Sequence, residues 1–445
     1  MIQSRKTPSW ATPQSQELIT RIAAKTAQTS AVEVQNWIEE LAIENHKLHD
    51  IEGLNLNPAT NILNPRAEAL LAAGMSSRAS LGLPGDKYET GLGAIEQIEI
   101  IAGELACEVF GSTHSEFRVP SGAIANLYAF MATTEPGETI IAPPPSIGGH
   151  VTHHSAGSAG LYRLNTVNAP VDRVNHSIDI DALRTLAHQV KPKLITVGGS
   201  LNLFHHPIAD VRAIADEVGA KVLFDAAHLC GMIAGKVWPQ PLIEGAHLMT
   251  FSTYKSLGGP AGGLIVTNDD EIAEKIDAIA YPGLTANFDA GKTAALAITL
   301  QDWKSVGHEY AQMMVATAQS LAAHLQQLGV NIYAANSGFT MSHQFAIMAA
   351  PYGGGQRAAR RMGEAGLLAC GIGLPIAPVA GDLNGLRIGT PEIVRIGMKT
   401  ADMGTLASLI YRSLEMKSDP IAIKSEITQW RKQFSGVHYT VDLPN

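Results

Sequence analysis

Between residues 66 and 290, helical patterns alternate with short runs of β-branched and aromatic residues. The predicted strands are 116–119, 139–141, 160–164, 194–197, 221–224, 248–251 and 263–266. The predicted helices between them include 95–109, 123–132, 180–189 and 208–218. This alternation predicts an α/β domain whose mostly parallel sheet is covered on both faces by helices. Ligands of such sheets bind at the carboxyl ends of the strands.

The rest of the chain divides around this large domain, which we place at residues 66–300. Residues 1–65 are predicted as an N-terminal helical arm and an asparagine-rich connector, with a capping box at Ser30 and Glu33. Residues 301–445 are predicted as a smaller α+β domain. Long helical patterns at 292–329 lead into this domain, whose expected elements are strands near 344–348 and 386–388 and a final helix at about 402–416 before a charged tail.

Composition excludes several classes of protein. Of the 445 residues, 46% are hydrophobic and 16% charged, and the net charge is −9, so a nucleic-acid partner is not expected. No run of about eighteen apolar residues and no signal-peptide core is present, which predicts a cytoplasmic protein without membrane contact. Cys107, Cys230 and Cys370 lie far apart among apolar neighbours, which predicts buried free thiols in a reducing compartment.

Residues 249–263 contain one lysine, Lys255, followed by glycines and prolines. A lysine performs covalent chemistry when a pocket lowers its pKa beside a carbonyl group. The glycines leave room for a flat ligand. The alternative is a surface hairpin with a solvated lysine, and the residues elsewhere in the domain decide between the two.

Two other predicted strands end in groups that suit one particular ligand. Asp225 follows a buried strand and is either a helix cap or the partner of a cationic ring nitrogen, as pyridoxal phosphate requires. Ser121 is a plausible helix N-cap, after which the N–H groups of Gly122 and Ala123 would face a phosphate. Together with Lys255, these residues favour a pyridoxal-phosphate site.

Loop residues extend the candidate site. His150, His153 and His154 suit either a zinc site or a histidine stacked on an aromatic cofactor, and the second fits better because no ligand-spaced cysteine or glutamate stands nearby. Ser200 could bond the cofactor's phenolic oxygen. Arg387 offers a planar fork for an α-carboxylate, the alternative being a surface ion pair.

The candidate residues named above follow one another along the chain in an order that resembles the fold-type I pyridoxal-phosphate enzymes of the serine hydroxymethyltransferase family. The similarity runs from about residue 50 to 415. The resemblance implies an aspartate aminotransferase-like fold, with a three-layer α/β large domain and a small α+β C-terminal domain, and a homodimer with shared active sites. It implies that Lys255 is the Schiff-base lysine, that Asp225 binds the pyridine nitrogen and that His150 stacks on the ring. The implied cofactor-binding residues are Ser121, Gly122, Ala123, His150, Ser200, Asp225, His228, Ser252, Lys255 and Gly283.

The sequence departs from the family pattern at four positions. Leu81 replaces the family's catalytic glutamate, Glu89 replaces a tyrosine, Tyr254 a histidine and Ala261 an arginine. Because that glutamate is tied to folate-dependent transfer, the use of tetrahydrofolate is left open. Other stretches, such as Leu-Leu-Ala-Cys-Gly-Ile-Gly-Leu-Pro, resemble the branch that acts on α-methylserine, which includes a folate-independent aldolase and a folate-dependent hydroxymethyltransferase.

The hypothesis that follows is retro-aldol cleavage of a β-hydroxy α-amino acid, with α-methylserine yielding alanine and formaldehyde. Lys255, His150 and Asp225 are the predicted catalytic residues, together with Glu89 as the base. For Glu89 the alternative is an ion pair with Lys87 or a helix-start carboxylate. The predicted substrate-binding residues are Arg387, Tyr88 and His153. The rivals are folate-dependent hydroxymethyl transfer, a threonine-type aldolase, transamination or β-elimination, a zinc hydrolase and a silent binding protein.

Overall fold

The computed structural model describes residues 6–173, 175–415 and 419–441. Its helices are α1 Pro13–Gln28, α2 Ala31–His46, α3 Pro65–Leu71, α4 Gly93–Phe110, α5 Gly122–Thr133, α6 Ser158–Leu161, α7 Ile180–Val190, α8 Ile208–Val218, α9 Cys230–Ala234, α10 Pro241–Glu244, α11 Asp270–Ala278, α12 Ala290–Gln327, α13 Gly355–Glu364, α14 Pro391–Arg395, α15 Met403–Leu414 and α16 Pro420–Arg431. Its strands are β1 Leu54–Asn55, β2 Gly82–Leu83, β3 Asp86–Lys87, β4 His114–Val119, β5 Thr139–Ala142, β6 Asn165–Asn168, β7 Val171–Asp172, β8 Ser177–Ile178, β9 Leu194–Gly198, β10 Lys221–Asp225, β11 Leu248–Ser252, β12 Gly263–Thr267, β13 Gln344–Met348, β14 Leu367–Leu368, β15 Cys370–Ile372 and β16 Gly385–Gly389.

A seven-stranded sheet forms the centre of the large domain, in the order β4-β12-β11-β10-β9-β5-β6. Its pairs are parallel except those of β12, which is antiparallel to both β11 and β4. The predicted mostly parallel sheet is therefore confirmed. Six of the seven predicted strands are present, with bounds that differ by one or two residues from the prediction.

Consecutive strand residues face opposite layers of helices. One face packs against α4, α7, α8 and α12 and includes Ile195, Val197, Val222 and Phe224. The other face packs against α5 and α11 and includes Ile140, Leu194, Leu223 and Leu248. Because both faces are buried, the inner strands β9, β10, β11 and β12 consist mainly of apolar residues. The predicted three-layer arrangement is confirmed.

The predicted strand at 160–164 is wrong. Residues Ser158–Leu161 form the short helix α6, and the strand begins at Asn165, which pairs with Thr139. The prediction followed the more apolar residues 160–164, whereas the strand itself is polar. β6 lies at the edge of the sheet, where polar residues such as Asn165 and Asn168 are tolerated.

The C-terminal half contains a 38-residue helix, α12, and a three-stranded antiparallel sheet in the order β13-β16-β15. The predicted strands near 344–348 and 386–388 are β13 and β16. The prediction that the helix at about 402–416 is the last one is wrong, because α16 follows α15, and residue 416 itself lies outside the described residues. Since α12 continues through residue 300 and β1 pairs with β14, the proposed domain limits stay a prediction.

The N-terminal arm consists of α1 and α2, and the predicted capping box at Ser30 and Glu33 is confirmed. Neither helix has a buried residue, and Trp10, Ile38 and Ile43 are exposed. Over the described parts of the chain, none of the helices has both the length and the apolar character needed to cross a bilayer.

Candidate active site

A cavity of about 120 Å³ lies at the carboxyl ends of the central strands. Its walls come from the turns after β4, β9, β10 and β11 and from the loop that follows β5. The lining residues are Ser121, Gly122, Ala123, Asn126, His150, Gly199, Ser200, Asp225, Ala227, His228, Ser252, Tyr254 and Lys255. Nine of the ten residues predicted to bind the cofactor line this cavity, Lys255 among them, and the exception is Gly283.

One end of the cavity is built to bind an anion. Ser121 caps α5 by accepting a hydrogen bond from the Ile124 amide, as predicted. The amides of Gly122 and Ala123 then have no carbonyl partner within the helix, and they carry the positive end of its dipole. A Cβ atom on Gly122 would lie 2.1 Å from the Ser252 hydroxyl oxygen, so only glycine lets the helix start approach β11 this closely. Backbone amides and a hydroxyl group thus converge on one point.

Asp225 lies at the other end of the cavity, where β10 ends. Its carboxylate accepts hydrogen bonds from His153 at 2.8 Å, from Asn126 at 3.0 Å and from the Ala227 amide at 3.0 Å. Burial opposes ionisation of Asp225, but the hydrogen bond and charge of His153 outweigh it and hold the pKa below its ordinary value. The site therefore keeps a buried negative charge, as a cationic ring nitrogen requires.

Lys255 follows β11 and is only 6% exposed, so the solvated-hairpin alternative is wrong. Its Nζ lies 3.1 Å from Nε2 of His228. Burial lowers the pKa of Lys255 to about 8, with a further contribution from Arg387 and opposition from Asp225. A buried amine with this pKa is partly unprotonated near neutral pH, which makes it nucleophilic.

This pKa predicts how cofactor-free protein captures pyridoxal phosphate. Below pH 8 Lys255 is mainly an ammonium ion, so the capture rate is expected to fall about tenfold per pH unit and to level off above pH 8. Stopped-flow absorbance would measure this rate. Butylamine is the control, because its reaction reports the ionisation of the cofactor alone. A rate that keeps rising in parallel with butylamine above pH 9 would contradict the lowered pKa.

Arg387 lies on β16 of the smaller sheet and reaches the same cavity edge. Its Nη1 donates to the Ser200 carbonyl at 2.5 Å and lies 3.3 Å from Nε2 of His228. Its Nε is buried and has no partner among the described residues. Burial lowers the pKa of His228 well below its ordinary value, so a neutral imidazole stands between Lys255 and Arg387. The Lys255 amine and the Arg387 guanidinium therefore both contact the imidazole ring of His228.

His150, Ser200 and His153 occupy different positions. His150 and Ser200 line the cavity, and burial lowers the pKa of His150. His153 does not line it: the side chain is 1% exposed and lies behind Asp225. The predicted contact between His153 and the substrate is therefore corrected to a contact with Asp225, because the tight turn that follows His150 directs His153 into the domain core.

The three histidines also bear on the zinc alternative. His150 bonds Thr152, His153 bonds Asp225, and His154 bonds the Pro143 carbonyl, so the three rings have separate partners. In the part of the chain that the structure describes, no group of three or more histidine, cysteine, aspartate or glutamate side chains is arranged to hold a metal ion.

Tyr88, Glu89 and Gly283 are not brought to the cavity within one chain. Tyr88 is 86% exposed and Gly283 is also exposed. Glu89 accepts a hydrogen bond from the Leu81 amide at 3.0 Å. The alternative ion pair with Lys87 is wrong, because Lys87 pairs with Glu99 at 2.7 Å. The predicted roles of these residues in catalysis and binding stay predictions.

Sequence reasoning missed three residues near the site. Asn126 donates to Asp225 and accepts from Thr250, Cys370 contacts Arg387, and Tyr254 lines the cavity. A signal existed for Asn126, which lies four residues after Gly122 and therefore on the same face of α5. Of the thiols, Cys230 is buried as predicted, whereas Cys107 and Cys370 are only partly buried.

These observations test the fit of pyridoxal phosphate to the cavity. The amides after Ser121 and the Ser252 hydroxyl suit its phosphate, the buried Asp225 carboxylate suits its ring nitrogen, and the Lys255 amine suits its aldehyde carbon. Nε of Arg387 and Nδ1 of His228 are buried and have no hydrogen-bond partner among the residues that the structure describes, so they suit further polar groups. The residues therefore fit the cofactor.

The site and fold define a fold-type I pyridoxal-phosphate enzyme. The family model described as Serine hydroxymethyltransferase matches residues 32–410, and the chain belongs to the serine hydroxymethyltransferase family. The chain is 62% identical to an alpha-methylserine aldolase from Variovorax paradoxus, over 97% of this chain and 98% of that protein. It is 36% identical to a serine hydroxymethyltransferase from Sulfolobus acidocaldarius, over 91% of this chain and 95% of that one.

The fold is also found among solved structures. The crystal structure of L-threonine transaldolase from Pseudomonas fluorescens matches with a TM-score of 0.83 at 21% identity, covering 95% of this chain and 96% of that one. With the family match, it confirms the fold class expected from the sequence.

Proposed function

We propose that this enzyme cleaves α-methylserine to alanine and formaldehyde, or catalyses the reverse addition, without tetrahydrofolate. The arrangement of Lys255, His228 and Arg387 carries the proposal, because a buried amine and a guanidinium both contact His228, as a cofactor anchor beside a carboxylate-binding group would require. The choice of α-methylserine is supported by the identity with alpha-methylserine aldolases over nearly the whole chain.

When bound, pyridoxal phosphate supplies an electron sink for the negative charge that forms at the α-carbon. In this proposal Asp225 holds the proton on the ring nitrogen, and Arg387 binds the substrate carboxylate. Arg387 and His150 thereby fix which bond at the α-carbon is perpendicular to the ring, which decides the bond that breaks. Cleavage also requires a base that removes the β-hydroxyl proton.

Glu89 is our proposed base. Leu81 stands where the serine hydroxymethyltransferase family has its catalytic glutamate. The carboxylate of Glu89 accepts a hydrogen bond from the backbone amide of Leu81 and is therefore close to that position. Because Tyr88 and Gly283 are exposed in the single chain, we propose that both segments reach the cavity of a second subunit in a homodimer. The exposed apolar residues of α1 and α2 also favour an oligomer.

One assay tests the reaction. Purified holoenzyme is incubated with α-methylserine, with and without tetrahydrofolate, and formaldehyde and alanine are quantified. We expect both products in equal amounts without folate, and serine and allo-threonine serve as competing substrates. Release that depends on tetrahydrofolate would instead establish a hydroxymethyltransferase. Faster turnover of allo-threonine would establish a threonine-type aldolase, and a keto acid as product would mean transamination or elimination.

Glu89→Gln is expected to lower the cleavage rate about 10²-fold, since the amide cannot accept the β-hydroxyl proton. Only the lower end of a base's usual contribution is expected, because Glu89 is partly exposed and already binds the Leu81 amide. The initial rate of formaldehyde release measures the effect. Near-normal turnover would show that Glu89 is not the base.

Mixing experiments locate Glu89 relative to the subunits. If Glu89 acts across the interface, equal amounts of Glu89→Gln and Lys255→Ala chains form mixed dimers with one intact site each. The mixture is then expected to recover about a quarter of wild-type activity, because about half of the dimers are mixed. A base that acts within its own chain would give no recovery after subunit exchange.

A further inference from the structure

The guanidinium of Arg387 is held from two sides. On one side Nη1 donates to the Ser200 carbonyl, and on the other Nη2 donates to Sγ of Cys370 at 3.1 Å. Cys370 and Arg387 are directly opposite residues on the antiparallel strands β15 and β16, so their side chains lie on the same face. The pairing register of β15 with β16 therefore places the Cys370 thiol next to the Arg387 side chain.

The thiol has a second partner beyond Arg387. Cys370 Sγ lies 3.4 Å from Oδ1 of Asn57, to which it donates. Asn57 is itself held in place by two hydrogen bonds. Its Oδ1 accepts from the backbone amide of Ala59, and its own backbone amide donates to Oδ1 of Asn55. A chain of hydrogen bonds therefore runs from Arg387 through Cys370 to Asn57, and we call these three residues the guanidinium relay.

The backbone next to Asn57 is also tied to β16, which carries Arg387, and to β14, which precedes Cys370. The amide of Leu56 donates to the Leu368 carbonyl, and the carbonyl of Leu56 accepts from Gly389. The connector thus bridges β14 and β16 beside the relay. Arg387 is only 6% exposed, and in the described part of the chain its Nε has no partner. The guanidinium is therefore held in place while one of its donors stays available for a ligand.

We propose that Cys370 is a positioning residue that orients Arg387 for the substrate carboxylate. This inference deepens the proposed function, on which it rests for the identity of the substrate. A thiol sulfur is a weak acceptor, so it fixes the guanidinium plane without competing with a carboxylate for the fork. The S–H group, by donating to Asn57, directs its sulfur lone pairs towards Arg387.

Removal of the sulfur acceptor should weaken carboxylate binding selectively. For Cys370→Ala we expect a rise of about fivefold in the dissociation constant of alanine, the scale of one neutral hydrogen bond. Cys370→Val keeps more of the volume without an acceptor and should behave in the same way. Cys370→Ser restores an acceptor and should stay within about twofold of the wild type.

The experiment titrates each holoenzyme with both enantiomers of alanine and with ethylamine, and it follows the cofactor's absorbance. Ethylamine lacks the carboxylate, so its dissociation constant should be unchanged in all variants. KM and kcat for α-methylserine are then compared, and the rise is expected in KM. Cys107→Ala is the matched control, because Cys107 is also a partly buried free thiol but lies on α4, outside the cavity.

Three results would overturn the proposal: unchanged alanine binding in both Cys370→Ala and Cys370→Val, equal weakening of alanine and ethylamine, or a serine variant as weak as the alanine variant. The titration with alanine does not require cleavage. A wild-type enzyme that binds alanine but does not cleave α-methylserine would therefore refute the proposed function and leave the role of Cys370 to be decided by the variants.

Discussion

Asp225→Asn is expected to lower kcat for α-methylserine about 10³-fold, as does the loss of a main electrostatic group in other active sites. The substitution keeps the shape of the side chain and removes its charge. The cofactor's ring nitrogen then loses the anion that favours its protonated form, and the ring becomes a poor acceptor for charge from the α-carbon. The chemical step should slow while the binding of substrate through Arg387 changes little.

The hydrogen bonds of Asp225 add a second consequence. His153 and Asn126 both donate to Oδ2, and the Ala227 amide donates to Oδ1. Asparagine has an oxygen at only one of these two positions and an NH₂ group at the other. At least one of the buried donors would therefore face the NH₂ group instead of an acceptor. We therefore also expect a lower melting temperature, since an unpaired buried donor costs about 1–3 kcal/mol.

Steady-state kinetics, the cofactor's absorbance spectrum and thermal unfolding together check the Asp225 prediction. Asp269→Asn is the matched control: Asp269 also follows a strand but caps α11, a role that asparagine fulfils equally well. An Asp225→Asn enzyme with more than about a tenth of wild-type kcat would show that the charge is not required.

The strand ends were predictable from sequence because each depends on a short stretch of chain. The apolar runs before Asp225 and Lys255 fix where β10 and β11 end, and parallel strands bring their carboxyl ends together. The cap at Ser121 is equally local. These elements account for the cavity, its phosphate end and its anionic end.

Other features were not predictable because they depend on contacts between segments that are distant in the sequence. His153 faces Asp225 only because the loop after β5 folds over β10, and a pattern of three histidines does not encode that direction. The contact between Cys370 and Arg387 requires the register of β15 against β16. In our proposal Tyr88 and Glu89 act in the cavity of a second subunit, and a pattern within one sequence does not encode such a contact.

Arg387→Ala is expected to lower kcat/KM for α-methylserine about 10³-fold, because truncating one partner of a buried, hydrogen-bonded charge pair costs about 2–5 kcal/mol. The substrate carboxylate would lose its fork, and the Ser200 carbonyl and Cys370 would lose their donor. Arg387→Lys should recover little, since a point charge on a flexible stem cannot bond a carboxylate, Ser200 and Cys370 together.

Rescue separates a lost fork from a damaged fold. Added methylguanidine should restore part of the activity of Arg387→Ala by entering the vacated space, and it should have no effect on the wild type or on Arg66→Ala, a variant at an exposed arginine of α3. Arg387→Ala should also weaken the binding of ethylamine less than the binding of alanine, because ethylamine has no carboxylate. If Arg387→Ala lost affinity for ethylamine as strongly as for alanine, the guanidinium would be holding the cavity together, and the assignment of Arg387 to the substrate carboxylate would fail.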